Sequence, residues 1–426
     1  MIDPRDLKIF THIPVIRFSF AVLCILLFCG QVCSQDCTLA GYLERGVSHS
    51  PELKDLAGQI LTNQYDSLIV RATYLPQVNF NASMMIAPAI NGWGYSEAIT
   101  NGQSLFGTLN VNQQLFNNKT REANLEKVGL ESGNLVINRK IGLNDLKKAI
   151  TAQYLSAYAA LEERRFQQDV RETMVKVSGV LKAWTEKGIY HQTDYLLLQV
   201  EMLNIDRNIR DLDLQYRKEL WNLDLICGIS DTTTCDLKLP VIADTSAGTV
   251  ESSLFFKRFM LDSLLIRNEQ VLIDRKYKPV MNWFADAGLV NNEPRYIYQN
   301  FGMSIGLSMT LPVFDGNQRR MNYEKIRIHE ATRKNYEENF RFRYHAQLHQ
   351  MEIELEKTIG SLKENEKQVS LVTQLIAAYK VLLNDGSVPI GDYILALRNL
   401  IEAKHAGLLY RIRTQYIINE INFWRQ

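Results

Sequence analysis

The chain has 426 residues, with 48 Lys or Arg against 47 Asp or Glu, so its formal net charge is +1. This near balance argues against nucleic acid as the main partner, because nucleic-acid-binding domains carry a basic surface. The hydrophobic fraction of 46% is that of a folded protein. The mean hydropathy of −0.17 excludes a helical membrane protein with many spans.

The one long apolar run of the sequence lies near the N-terminus, at residues 18–30. Lys8 and Arg17 precede it, and a small-residue stretch that ends at Ser34 follows. The run is shorter than the about 20 apolar residues that a spanning helix needs. The order of basic, apolar and small residues predicts a secretory signal peptide at residues 1–34. A retained membrane anchor is the alternative.

Each half of the remaining chain opens with a predicted helical stretch, at about residues 38–74 and 252–277. Ser50 looks like a helix N-cap within the first stretch, because Pro follows it at the first helical position. Pro76 and Pro279 stop the two stretches, since proline lacks an amide donor and disfavours helical geometry in the residue before it.

Two strands are predicted after each helical stretch, at about 77–90 and 105–112 in the first half and 280–290 and 299–311 in the second. In the last of these, apolar or long residues alternate with small or polar ones. Alternation over a strand of about ten residues is typical of a transmembrane β-barrel, whereas soluble strands are most often about five or six residues long. The pattern favours a membrane barrel and leaves a soluble sheet as the alternative.

A very long helix follows each strand pair, at about Lys119–Lys187 and Gln318–Asp385. Neither stretch contains proline, and apolar residues recur in three- and four-residue steps. Some 70 helical residues extend about 100 Å. Each helix is expected to end at a glycine, Gly188 or Gly386. Return helices are predicted at residues 193–226 and 391–424.

The two halves are related by a constant offset in residue number. Phe116 recurs as Phe314 and Asp194 as Asp392, and both pairs give the same difference (314 − 116 = 198; 392 − 194 = 198). The absence of net insertion indicates continuous helix between these landmarks, because one added residue would rotate all that follows by about 100°. We predict an internal duplication in one intertwined domain, with structural repeats at residues 35–240 and 241–426.

Four strands cannot close a barrel. Membrane barrels have about eight strands or more, and an open sheet edge in lipid leaves unpaired amides. Strands that span a membrane therefore require oligomerisation. Three copies would supply twelve strands and twelve helical staves, the smallest comfortable closed solution.

Several motifs, in their order and spacing, resemble the TolC-like outer-membrane efflux proteins. They are LPVFDGNQRR at residues 311–320, YLPQ at residues 74–77, and Gly386 followed by Asp392-Tyr393-Ile394. The resemblance covers the whole chain after the signal peptide. It implies an α+β membrane protein, with a trimeric 12-stranded outer-membrane β-barrel, four strands per protomer, continued by a long α-helical barrel in the periplasm.

The resemblance also implies partners and site residues. A periplasmic adaptor would dock at the helix tips, Gly188 and Gly386, and join the channel to an inner-membrane transporter. The expected pore-entrance residues are Asp392, which matches an acidic residue of the family's entrance, and Asp194, its counterpart in the first repeat. This chain differs from the family at two further positions. Leu395 stands where the family has a second acidic residue, and Val388 stands where it has an Arg that constricts the entrance.

Two interpretations of the tip aspartates stay open. Three copies of Asp392 at a narrow entrance would raise the local negative potential and favour cations. Both Asp392 and Asp194 could instead cap the return helices, because Asp is a preferred capping residue.

Cysteine and histidine offer little chemistry. Cys227 and Cys235 flank a short polar loop and could form a local disulfide in an oxidising compartment or remain two thiols. Cys37 lacks a lipobox, so lipid attachment is not expected. His345 and His349, with Glu352 beyond them, have a spacing that can bind metal on one helical face. A solvated, charged face explains them better, and no cofactor or active site is expected.

The leading interpretation is an outer-membrane channel-tunnel of a tripartite efflux or type I secretion system. It would be a passive duct, gated at its periplasmic tip and embedded in outer-membrane lipid. The main alternative is a soluble periplasmic coiled-coil protein without a pore. A periplasmic metal-handling enzyme is a second alternative, and the exported substrate is not specified.

Overall fold

A computed structural model describes residues 37–88, 90–95, 103–230, 235–244, 249–384 and 387–426. The expected signal peptide therefore lies outside the described residues, as does Gly386. Within these ranges, no helix combines the length and the apolar character that crossing a membrane requires.

Helices dominate the described chain, and their bounds agree with the expected ones to within a few residues. The helices are α1 Leu39–His49, α2 Pro51–Thr73, α3 Asn118–Glu186, α4 Gln192–Cys227, α5 Leu254–Lys276, α6 Gln318–Asn384 and α7 Ile390–Arg425. Short 3₁₀ turns occur at Val250–Ser252 and Pro294–Gln299. The strands are β1 Gln77–Ile86, β2 Gln103–Leu115, β3 Val280–Asn291 and β4 Phe301–Thr310.

The first helical stretch is divided into α1 and α2 at Ser50. The Ser50 hydroxyl accepts a hydrogen bond from the Leu53 amide at 3.3 Å, and Pro51 occupies the first position of α2. Side-chain capping and an N-terminal proline both favour a new helix start. The N-cap that the sequence predicted is therefore present, and it separates two helices.

The strands form one antiparallel sheet in the order β1-β2-β3-β4. Gln77 pairs with Asn112 in the first hairpin, and Val280 pairs with Thr310 in the second. Two constant differences in residue number convert the first pair into the second, one for β1 and one for β2 (280 − 77 = 203; 310 − 112 = 198). The two hairpins thus have the same register. They are joined into one sheet by the pairing of β2 with β3.

The bounds of equivalent helices differ by the same two residue-number differences. Both bounds of α2 map onto those of α5 by the β1 difference (254 − 51 = 203; 276 − 73 = 203), and the end of α3 maps onto that of α6 by the β2 difference (384 − 186 = 198). Next to the sheet the helices pack in the row α2-α3-α5-α6. Towards the tips, α3 packs against α4 and α7, and α7 packs against α6. In both regions α3 is an inner helix and α6 lies at one end of the row.

The structure corrects the expected pairing of cysteines. Cys235 is bonded to Cys37, with 6.1 Å between their Cα atoms, and Cys227 is a free thiol. Cys227 lies at the end of α4, fully buried, and its Sγ contacts the Tyr42 carbonyl at 3.4 Å. Burial raises the pKa of this thiol to about 12. A local disulfide would have to withdraw Cys227 from the core.

The disulfide fixes one end of a segment without regular secondary structure, residues 235–244, which contacts both α3 and α7. At this end, the Tyr154 hydroxyl donates to the Lys238 carbonyl at 2.8 Å. At the other end, Gln415 accepts from the Ile242 amide at 2.7 Å, and Asn422 donates to the Ala243 carbonyl at 2.8 Å. The segment therefore ties α3 to α7.

Removing the disulfide by Cys37→Ser should lower the free energy of unfolding by about 2–4 kcal/mol, because the bond closes a long loop in the unfolded chain. Denaturant titration of the helical circular dichroism signal of detergent-extracted protein, with and without reductant, would measure the change. Cys227→Ala should keep the response to reductant. Loss of that response in Cys227→Ala would show that Cys227, and not Cys37, is the partner of Cys235.

Candidate functional site

The candidate site lies where each long helix turns into its return helix. At the first turn Gly188 adopts a φ of 76°, a left-handed conformation that glycine accepts most easily. The Gly188 amide donates to the Thr185 carbonyl and the Ile189 amide to the Trp184 carbonyl, both at 3.0 Å. These two bonds form a Schellman motif, which ends α3. Gly188 is thus a helix terminator, as the sequence indicated.

The second turn shows the same longer-range bond. The Ser387 amide donates to the Leu382 carbonyl at 3.1 Å. These two residues are the counterparts of Ile189 and Trp184 in the second repeat (387 − 189 = 198; 382 − 184 = 198). Gly386 itself is outside the described residues.

The two turns are joined by Tyr190. Its hydroxyl lies 2.9 Å from the Val388 carbonyl oxygen and 3.2 Å from that of Leu383. The ring is buried and stacks on Trp184, with 6.0 Å between ring centroids. The two turns share one apolar core, to which both return helices contribute: Val170, Met174, Val177, Leu181, Tyr190, Leu198, Ile205, Leu383, Ile390, Tyr393, Ile394 and Leu397. One protomer therefore presents both tips as a single packed unit.

The two tip aspartates differ in their contacts. Asp194 accepts a hydrogen bond from the His191 amide at 3.1 Å, so it closes a capping box at the start of α4. Asp392 occupies the equivalent position of α7, but the N-cap residue there is Pro389, which has no amide hydrogen to donate. The Asp392 side chain is exposed.

An ion pair connects the return helices about two turns above the tips. Arg398 Nε donates to Glu201 Oε1 at 3.0 Å, and a second guanidinium nitrogen contacts Oε2. The Glu201 side chain is only 9% exposed, whereas that of Arg398 is 52% exposed. The hydrogen bonds from Arg398 hold the pKa of Glu201 below its usual range.

The sequence analysis did not identify Tyr190, Glu201 or Arg398. Tyr190 contacts its own counterpart in the second predicted repeat, Val388 (388 − 190 = 198), and nothing in the local sequence reveals this contact. The altered positions Val388 and Leu395 are half-buried and exposed, respectively. Because valine and leucine carry no charge, these two side chains cannot form a charged constriction.

The metal interpretation gains no geometric support. His345 and His349 are both exposed, and Glu352 pairs with Arg425 at 3.0 Å. Among the residues the structure describes, no group of three His, Cys, Asp or Glu could hold a metal ion.

At the opposite end of the molecule, the edge strands carry exposed apolar rows. In β4, residues Met303, Ile305, Leu307 and Met309 are 65–81% exposed, and the residues between them are small or polar. In β1, Val78, Phe80, Met84 and Ile86 are 63–68% exposed. One sheet face is therefore apolar and lacks a covering layer within the described chain.

Gly188→Ala should destabilise the first tip by about 1–2 kcal/mol, because a Cβ atom is unfavourable in the left-handed region. Gly188→Asn should cost less, since Asn tolerates that conformation. Thermal unfolding and proteolysis at the tip would measure both. Gly179→Ala is the matched control: Gly179 lies in α3 with open space around it, so alanine should stabilise the helix there. Equal loss at both positions would contradict the terminator role.

Glu201→Gln should lower stability at neutral pH by about 1–2 kcal/mol, because Arg398 loses a charge-assisted hydrogen bond. The pKa of Glu201 is lowered on folding, so its stabilisation is full above the usual glutamate pKa and is lost as pH falls through the lowered value. Unfolding curves of wild type and variant should therefore converge in acid. Glu324→Gln, in an exposed pair with Arg327, should change little at any pH. Parallel curves across the whole pH range would exclude the pair as the cause.

No protein-family model and no curated protein matches this sequence. Solved structures match it over most of its length. They include the outer membrane protein VceC from Vibrio cholerae, with a TM-score of 0.75 at 11% identity over 90% of this chain and 94% of that chain.

Two further matches are channels. The Campylobacter jejuni CmeC outer membrane channel has a TM-score of 0.71 at 12% identity, over 91% of this chain and 84% of that chain. The open state of the Neisseria gonorrhoeae MtrE outer membrane channel has a TM-score of 0.72 at 13% identity, over 91% of this chain and 88% of that chain. The chain therefore has the fold of an outer-membrane channel protomer.

Proposed function

We propose that this protein is the outer-membrane channel-tunnel of a tripartite efflux or type I secretion system. Three copies form a 12-stranded barrel in the outer membrane, and their helices continue it as a tunnel across the periplasm. The duct is passive, and its periplasmic tip is the gate. Likeness of fold to outer-membrane channels supports this assignment.

The observation that carries the proposal is the sheet with one exposed apolar face and two free edges. Strands β1 and β4 are the ends of the sheet in the described chain, and both expose their apolar side chains. In water such a face would be an aggregation hazard, whereas lipid is its natural solvent. Closure with further copies satisfies the edges, which lipid requires.

The tip geometry supports a gate built from backbone contacts and one ring of charge. Tyr190 holds the two turns of a protomer together, while the exposed Asp392 is left for the entrance. Three copies of this carboxylate at the narrow end attract cations. Asp194 contributes to the start of α4 instead, because its carboxylate is engaged as a cap.

The tips are also the proposed contact with partners. Gly188, and Gly386 in the second repeat, place tight turns at the periplasmic end, where the hairpins of an adaptor dock. The adaptor connects the duct to an inner-membrane transporter, which selects the cargo and supplies the energy.

A soluble periplasmic coiled-coil protein without a pore is not favoured. Such a protein would need to cover the apolar rows of β1 and β4, and the described chain has no layer on that face. An enzyme is not favoured either, because the tips contain caps and packing contacts rather than a set of converging catalytic groups.

Asp392→Ala should reduce the cation selectivity of single channels in planar bilayers by several-fold, because the entrance loses its ring of charge. The protein would be extracted from outer membranes in detergent and would migrate as a heat-resistant trimer. Asp194→Ala is the matched control, since it should lower stability by about 1 kcal/mol and leave selectivity unchanged.

Three outcomes are distinguishable. Channels that respond only to Asp392→Ala support both the duct and the entrance ring. Channels that ignore both substitutions keep the duct and remove the ring. A protein that fractionates as soluble and forms no channels overturns the proposed function.

A further inference from the structure

The interface between copies can be inferred from the interface inside one copy. Two constant differences in residue number convert the first repeat into the second, one shared by β1 and α2 (280 − 77 = 203) and one shared by β2 and α3 (310 − 112 = 198). In the middle of the sheet, β2 of the first repeat pairs with β3 of the second. At its ends, β1 and β4 have no such neighbour in the described chain.

The internal junction between repeats has a defined register. Gly107 pairs with Leu289, and Leu109 pairs with Ala287. The same pairing can be transferred to the edges of the sheet. Adding 198 to a residue number of β2 gives the equivalent residue of β4, and subtracting 203 from a residue number of β3 gives the equivalent residue of β1, here in a second copy. Leu109 becomes Leu307 (109 + 198 = 307), and Ala287 becomes Met84 (287 − 203 = 84).

We propose that β4 of one protomer pairs antiparallel with β1 of the next in this register. Leu307 then lies opposite Met84 of the next copy, and Ile305 lies opposite Ile86. Each contact between copies thus repeats the β2–β3 junction inside a copy. This inference rests on the proposed trimer and specifies how its subunits join.

The side-chain pattern independently supports the parity of this register. Directly opposite residues in an antiparallel pair project from the same face. The exposed apolar residues of β4 have odd numbers and those of the apolar row of β1 have even numbers, and the proposed pairs all join an odd residue to an even one. A slip of one residue would place apolar side chains opposite polar ones across the whole edge. A slip of two residues would leave every side chain on its present face of the sheet. Only the geometry of the repeats argues against that slip.

The helical layer leads to the same junction. Inside a copy, Asn268 of α5 donates to the Ala123 carbonyl of α3 at 3.0 Å. The same two differences place Tyr65 of α2 beside Met321 of α6 in the neighbouring copy (268 − 203 = 65; 123 + 198 = 321). Both are large and exposed in one protomer, at 67% and 58%. Methionine sulfur against an aromatic ring is a favourable contact.

Cysteine cross-linking in the full-length protein tests the register. The double variant Leu307→Cys/Met84→Cys should form disulfide-linked oligomers on oxidation in outer membranes, because opposed Cβ atoms lie about 4.5–5.5 Å apart. The matched controls are Leu307→Cys/Ala82→Cys and Leu307→Cys/Ile86→Cys, which share the face but are displaced by two positions. They should cross-link several-fold less. Single variants should form no disulfide-linked oligomers, because Cys227 is buried and the other two cysteines of the described chain are bonded to each other.

A second measurement separates failure of the register from failure of the trimer. All variants would be examined for heat-resistant trimers and for channels before oxidation. A trimer in which a displaced pair cross-links best overturns the register and keeps the proposed function. A trimer in which none of the pairs cross-links overturns the pairing of β1 with β4. A monomer without channels overturns the proposed function itself.

Discussion

Backbone hydrogen bonding at the two free edges of the sheet is the constraint on which the proposed assembly depends. Each unpaired amide or carbonyl group in hydrocarbon costs several kcal/mol, and the described part of one protomer leaves a row of them on β1 and another on β4. Closing the sheet with further copies removes both rows at once. The same step brings α2 of one copy to α6 of another, because these helices end the helical row on the same two sides. In the proposed trimer, the barrel and the tunnel therefore close in the same step.

Two ties hold elements of the two predicted repeats together within one protomer. The segment of residues 235–244 is bonded to Cys37 through Cys235, and the Ala243 carbonyl of the same segment accepts a hydrogen bond from Asn422 of α7. At the tips, the Tyr190 hydroxyl donates to the carbonyl of Val388, its equivalent position in the second predicted repeat (388 − 190 = 198). The two predicted repeats are thus held to each other at two places.

Local periodicity was sufficient to predict most of the helices and strands. Proline-free runs with a helical apolar pattern located α3 and α6, and alternation located β4, because both patterns depend on neighbours a few residues apart. The cysteine pairing was wrong for the opposite reason. Nearness in sequence suggested Cys227 for Cys235, whereas the partner is Cys37, far away in the chain, and depends on how the helices pack. Tyr190 and the pair of Glu201 with Arg398 were missed because tertiary packing alone brings them together.

The tip aspartates occupy equivalent positions of the two predicted repeats but have different contacts. His191 and Pro389 occupy equivalent N-cap positions (389 − 191 = 198). His191 has an amide hydrogen that engages Asp194, whereas proline has none, so the same box cannot form with Asp392. The first carboxylate is used for helix capping and the second stays exposed. In the proposed trimer, the entrance therefore carries three available carboxylates rather than six, and its negative potential depends on the second repeat alone.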